Sequence, residues 1–241
     1  PPLRDWKLYG GITSSQVDYR DRTLSSEKEN GQFNSLVFSI GYGKAVRTLG
    51  GYDSGAGGLG RIFGMGMAGL EESLKPLPKI ETSWGVLLTI ERGDELLGSD
   101  RNFTKATAQL KHNTVFRNRG HLEAALNGAV GSDLPESRRF ATNRLNGLKG
   151  VYAREYRGES LAVATAEYSY PLFQNRVGGL IGKGFMDLAL CRQDQKEWGR
   201  QGVGLEVSYR FWRFPLPLGL GITYSFDDRN WQYSAAMGGV F

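Results

Sequence analysis

Apolar residues recur at every second position through most of this chain. Val203, Leu205, Val207, Tyr209 and Phe211 alternate with Gly204, Glu206, Ser208 and Arg210. Leu218, Leu220, Ile222, Tyr224 and Phe226 alternate with Gly219, Gly221, Thr223 and Ser225. A two-residue period puts each set on one face of an extended strand. The same alternation runs through Leu36–Tyr42, Trp84–Glu91, Thr104–Lys111 and Leu122–Val130. In Leu161–Leu172, Ala162, Ala164, Ala166, Tyr168 and Tyr170 oppose Val163, Thr165, Glu167 and Ser169. With Trp6–Tyr19, Arg61–Leu70, Leu180–Leu190 and Trp231–Phe241, the pattern predicts about eleven strands of roughly ten residues.

Polar, Gly- or Pro-bearing stretches separate these runs: Asp21–Asn34, Gly50–Gly58, Glu71–Glu81 with Pro76 and Pro78, Arg117–Gly120, Phe173–Arg176, Pro215–Pro217 and Asp227–Asn230. Only Pro135–Leu145 has helical character. The expectation is therefore an all-β, antiparallel chain organised as one domain over residues 1–241. The Gly50–Gly58 stretch offers no phosphate cradle, because no helix follows it.

Alternating antiparallel strands suit a soluble sandwich or a transmembrane barrel. The charges favour the barrel. In the second half the polar faces carry Gly and small residues beside isolated charges such as Glu206 and Arg210, while the apolar faces run unbroken. A sandwich turns such a face into its core; a membrane barrel turns it to lipid, where closure satisfies every backbone group. No apolar run approaches the ~18 residues of a membrane-spanning helix, which leaves barrel strands of ~9–11 residues untouched.

Composition narrows this further. Glycine numbers 34 of 241 residues, about twice ordinary usage, with no period of three, so collagen is excluded and crowded strands and tight turns are indicated. Aromatics cluster near the ends of apolar runs, as the girdles of membrane barrels do. A net charge of +5 without an aromatic–basic stripe gives no nucleic-acid signature. The single Cys191 rules out an internal disulfide framework and a Cys-rich zinc site. Pro1-Pro2 is compatible with a removed leader or with a piece of a longer protein.

The stretch Leu148-Lys149-Gly150-Val151, then Arg157-Gly158, then Glu167-Tyr168-Ser169-Tyr170-Pro171-Leu172 resembles the C-terminal barrel of the BamA/TamA outer-membrane assembly superfamily. That family has a Val/Leu-Arg-Gly-Tyr/Phe loop, an Arg-Gly or Gly-Asn pair and a strand ending Glu-Tyr-Arg-Phe-Pro-Leu. The connection Gly131…Pro135-Glu136…Arg139-Phe140…Gly147 is similar to the family's approach to that loop, and Asp18-Tyr19-Arg20-Asp21 with Gly31 resembles one of its periplasmic turns. The likeness covers residues 104–241 by motif and the earlier ones by pattern.

The resemblance implies a transmembrane β-barrel of about twelve strands, with an extracellular loop around 131–160 folded into the lumen. It implies a lumenal lock in which Lys149, standing for the family's Arg, pairs with Asp187 of Phe185-Met186-Asp187-Leu188-Ala189. Gly150, Arg157, Gly158 and Glu167 belong to the same motif. Lys lacks the bidentate fork of Arg, and a buried pair of this kind fixes position more than it adds stability. It also implies a weak lateral seam between the first strand and Trp231–Phe241, with Trp231, Tyr233 and Phe241 as a terminal signal and Gly238 and Gly239 loosening the pairing. The family's orientation, with an odd strand count, would start the first strand outside.

The expected function is non-enzymatic: an outer-membrane barrel that inserts or translocates polypeptides, or the barrel subunit of an outer-membrane complex. Its expected partners are outer-membrane lipid and a client or partner polypeptide, with no nucleic acid, metal or cofactor. Two alternatives come from other classes. One is a passive pore whose Lys105, Lys111 and Arg210 side favours anions. The other is a barrel lipase, disfavoured because no GxSxG occurs and His112 falls on the apolar face of its strand. Asp133, Glu136, Asp227 and Asp228 read as solvated loop charges.

Overall fold

A computed structural model describes residues 6–17, 31–43, 80–142, 147–150, 155–175, 177–211 and 218–237, with Gln16, Val17, Arg210, Ala236 and Met237 described by backbone alone. Ten strands form a single antiparallel sheet: β1 (Trp6–Val17), β2 (Gly31–Gly43), β3 (Glu81–Gly93), β4 (Phe103–Val115), β5 (His121–Ser132), β8 (Ser160–Gln174), β9 (Gly178–Gln193), β10 (Lys196–Phe211), β11 (Leu218–Ser225) and β12 (Asn230–Met237). Within the connection from β5 to β8, β6 (Phe140–Ala141) pairs with β7 (Arg157–Gly158) as a separate two-stranded ribbon. The chain is thus all-β, as the alternation predicts, and every neighbour in the large sheet is the next such strand in sequence.

The main sheet has ten strands among the described residues, against the expected twelve or so. β2 and β3 are direct neighbours, Tyr42 opposite Val86, and Arg61–Leu70 lies outside the described residues, as do Gly50–Gly58 and Pro215–Pro217. In a ten-strand meander the beginning of β1 and the end of β12 lie at one rim, and the 133–159 connection lies at the other. The end of β1 and the start of β2, Val17 and Gly31, share that second rim. The Asp18-Tyr19-Arg20-Asp21 stretch lies outside the described residues. The helical expectation for Pro135–Leu145 reduces to a 3-10 turn at Glu136–Arg138, followed by extended Phe140–Ala141.

Burial separates the two faces of the sheet sharply. One face is covered by the 133–160 connection. Leu134, Phe140 and Leu148 from that connection pack with Phe33, Phe103, Leu161, Val163, Ala189 and Cys191 from the strands. Besides this cluster the covered face is polar and still buried: Ser35, Ser39, Thr165, Asp187, Glu206, Ser208, Thr223 and Ser225. The other face is apolar and open, with Leu8 67%, Leu205 64% and Tyr233 78% exposed. Register explains its continuity. Leu122, Tyr168, Gly184, Leu205, Ile222 and Tyr233 are successive cross-strand partners from β5 to β12, so one rung of the open face carries no charge over six strands. Aromatics gather at the two ends of this band. Trp6, Tyr42 and Trp84 stand in sequence at one rim, with centroids 4.9 and 5.3 Å apart. Tyr224 contacts Phe226 and Trp231 at the other, at 5.2 and 4.9 Å.

Candidate functional site

The polar rungs of the covered face bring Glu123, Glu167 and Phe185 side by side across β5, β8 and β9. One rung further along, Thr165 stands opposite Asp187. Two carboxylates directly opposite on neighbouring strands repel unless a cation lies between them. Lys149 supplies it from the connection: its Nζ lies 2.9 Å from Glu123 Oε1 and 3.5 Å from Glu167 Oε2. Lys111 of β4 adds a second cation 3.1 Å from Glu123 Oε2. Burial alone would lower the Lys149 pKa, but the Glu167 and Glu123 charges and their hydrogen bonds outweigh it, and the value ends above that of a free lysine.

Asp187 is 1% exposed. Its Oδ2 accepts the backbone N–H of Lys149 at 2.9 Å and of Gly150 at 2.6 Å. The expected lock therefore changes partners. The loop backbone, not the Lys149 ammonium, meets Asp187, and the ammonium goes to Glu123 and Glu167. The reason is reach. The backbone of Lys149 sits over the Asp187 rung, and its four-carbon stem carries the charge one rung further, where it bridges two carboxylates as a point charge. Glu123 is the member that sequence reasoning missed. Alternation along Leu122–Val130 places it on the polar face of its strand, but only the β5–β8 register brings it next to Glu167.

The remaining expected residues fall at several places. Phe185 faces the covered side, where its ring fills the space that a side chain at Gly204, its cross-strand partner, would occupy. Gly158 packs so tightly on the end of β9 that a Cβ there would collide with the Arg192 carbonyl and crowd Cys191 Sγ. Arg157 is not part of the lock: it is half exposed and its Nε donates to Glu155 Oε1 at 2.8 Å. Trp231 and Tyr233 lie on the open face of β12. Gly238, Gly239, Phe241 and Val151 lie outside the described residues, as does the Arg210 side chain. β1 and β12 are the two edges of the sheet among the described residues.

The loop's return limb makes a further anchor that the sequence did not suggest. Arg200 of β10 is 0% exposed and donates to Asp228 Oδ2 at 2.8 Å. Its guanidinium lies 4.5 Å from the Tyr156 ring centroid, and Tyr156 stacks on Trp198 at 5.6 Å and 10°. A buried guanidinium needs both a counter-charge and a polarisable face, and this pair supplies them. Asp228 is thus a structural counter-ion, not the solvated loop charge expected. Asp227 is exposed, as expected of a loop charge, and accepts the Gln201 backbone N–H at 2.6 Å. Lys105 lies 4.8 Å over the Phe140 ring, so it also serves the plug.

The chain matches no protein-family model, and no curated protein matches it. The geometry therefore carries the functional argument. Among the described residues no group of three or more His, Cys, Asp or Glu side chains is placed to hold a metal ion. His112 Nε2 lies 3.0 Å from Thr114 Oγ1 two residues along its own strand, and His121 stands opposite Ser169 at the start of β5. Among the described residues no helix is long and apolar enough to cross a membrane.

Proposed function

We propose that this chain is a non-enzymatic outer-membrane β-barrel of the BamA/TamA type, acting in insertion or translocation of polypeptides or as the barrel subunit of a membrane complex. The observation that carries the reading is the inverted burial of the sheet. Arg200, Asp187, Glu206 and Glu91 are buried while Leu8, Leu88, Leu205, Leu220 and Tyr233 stand open. Water-soluble proteins rarely leave a contiguous apolar patch beyond a few hundred Å², and here apolar rungs run across the sheet. In lipid that face is at home, the aromatic clusters at its two ends sit at the interfaces, and the covered face becomes the lumen wall. β9 and β10, at 16 residues each, exceed the ~9–11 needed to span at a tilt, so their polar hairpin projects beyond the rim.

The loop supports the family assignment beyond the barrel. A lumen that holds the described parts of the 133–160 connection, fixed through Lys149, Asp187 and Arg200, would be poorly suited to steady conduction. It suits a barrel whose activity lies in its wall, where an edge strand accepts another chain's strand by β-augmentation. The edges concerned are β1 and β12. The reading is tested by reconstituting the purified protein in phospholipid vesicles and measuring the folding rate of a urea-denatured outer-membrane barrel added to them. Acceleration over protein-free vesicles is expected. Steady single-channel conductance without acceleration would replace this reading with the passive pore.

A further inference from the structure

The 133–160 connection is held at two separate places, and only one of them belongs to the motif that marks the loop. Lys149, Gly150 and Tyr156 fasten its later part to β5, β8, β9 and β10. Its earlier part is fastened by Arg138, at the end of the 3-10 turn, to the opposite end of the sheet. Arg138 Nη1 donates to Glu91 Oε1 of β3 at 3.1 Å. Nη2 donates to Ser15 Oγ of β1 at 2.7 Å and, at 3.4 Å, to the Phe33 carbonyl of β2. Ser15 and Phe33 are direct cross-strand partners, so one guanidinium spans the β1–β2 rung.

These bonds close into a ring. Ser35 Oγ of β2 donates to the same Glu91 Oε1 at 2.6 Å. Its only proton is then committed, so the 2.6 Å contact between Thr13 Oγ1 and Ser35 Oγ has Thr13 as donor. The circuit runs Thr13, Ser35, Glu91, Arg138, Ser15, and Thr13 and Ser15 lie on one face of β1. Every member is polar, Ser35 is fully buried and Glu91 nearly so. The Phe103 ring lies 6.0 Å below the guanidinium. Charge-assisted bonds of this kind are roughly twice as strong as neutral ones, and a planar fork that meets three acceptors at once is a task lysine cannot perform.

We infer that Arg138 is a positioning residue that clasps the edge strand β1 to the plug loop, so that β1 is held when the loop is seated and released when it leaves. β1 has a strand neighbour on one side only among the described residues, and the clasp supplies a second attachment from the covered face. Its consequence for strand acceptance rests on the function proposed above; the clasp itself does not.

The test is hydrogen–deuterium exchange on the folded full chain in detergent micelles, comparing wild type, Arg138→Gln, Arg138→Lys, Ser15→Ala and Lys149→Ala. Arg138→Gln and Arg138→Lys are expected to speed exchange in peptides covering Trp6–Val17 by about tenfold or more, with β8 and β9 unchanged. Ser15→Ala should give a smaller change of the same pattern. Lys149→Ala should instead expose β8, β9 and residues 147–150. Unchanged β1 exchange in both Arg138 variants overturns the clasp. So does a uniform rise across all ten strands, which would mean general destabilisation. Because exchange reads β1 whether or not the protein accelerates client folding, failure here and failure of the functional reading are separable.

Discussion

Removing the Lys149 ammonium should leave two facing carboxylates with half of their neutralisation. Lys149→Met keeps most of the stem volume and deletes the charge. Glu123 retains Lys111 at 3.1 Å, but among the ion pairs formed by the described residues Lys149 is the cation on Glu167. Side-chain exposures are 27% for Lys149 and 16% for each glutamate, so the pair is largely but not wholly desolvated. Breaking a fully buried pair by removing one partner costs about 3–5 kcal/mol. Residual exposure and the surviving Lys111 bring the expectation to about 2–3 kcal/mol, roughly a 30- to 150-fold loss in the folding constant. Adding Glu167→Gln removes the stranded charge, so the double variant should recover at least ~1 kcal/mol relative to Lys149→Met, a non-additivity expected of direct neighbours. The assay is urea unfolding of the vesicle-bound protein, followed by tryptophan fluorescence, with protease access to residues 147–158 measured in parallel. A Lys149→Met variant with wild-type stability and protection, or a strictly additive double variant, would refute the proposed geometry.

Three further outcomes follow from the same structure. Leu205→Arg places a cation in the middle of the open face and should destabilise the protein in vesicles by ~2–4 kcal/mol, whereas a water-exposed site would shift by no more than ~0.5 kcal/mol; vesicle unfolding curves decide. Gly158→Ala meets the Arg192 carbonyl, a backbone atom that cannot swing aside, so the variant should detach the β6–β7 ribbon and raise protease cleavage near Tyr156 without unfolding β9. The raised Lys149 pKa has a definite sign: its contribution is complete below the unfolded value near ~10.4 and is lost only as pH rises through the higher folded value. Loop protection should therefore stay flat from about pH 7 to 9 as far as Lys149 is concerned, and fall above about pH 10.5; loss of protection already near pH 8 would contradict it.

The strands were legible because side-chain parity is a local property. Val203–Phe211 reads as a strand from its alternation alone, and β10 contains it. The first part of β10, Lys196–Gly202, was not legible: Trp198 is its one large apolar side chain, so the period-two signal vanishes although the ladder with β9 continues. The lock was half legible. Lys149, Gly150, Glu167 and Asp187 were marked by resemblance and do converge, but which atom meets which depends on cross-strand register, and register is invisible until β5 and β8 are aligned. The Arg138 clasp and the Arg200–Asp228 pair were not legible at all. Arg138 and Ser15 are separated by 123 positions, and nothing local to a polar 3-10 turn says that its last arginine reaches the first strand. The strand expected at Arg61–Leu70 lies outside the described residues, and β2 pairs directly with β3.

The central claim is that the open face of the sheet meets lipid and the covered face does not. Single-cysteine variants with a fluorophore at Val203, Leu205 and Val207, and at Gly204, Glu206 and Ser208, in a Cys191→Ser background, can be placed one at a time in vesicles containing brominated acyl chains. Strong quenching at the first three positions and weak quenching at the alternate three is the predicted result. Equal quenching at both sets, or none at either because the protein remains in solution, would contradict it.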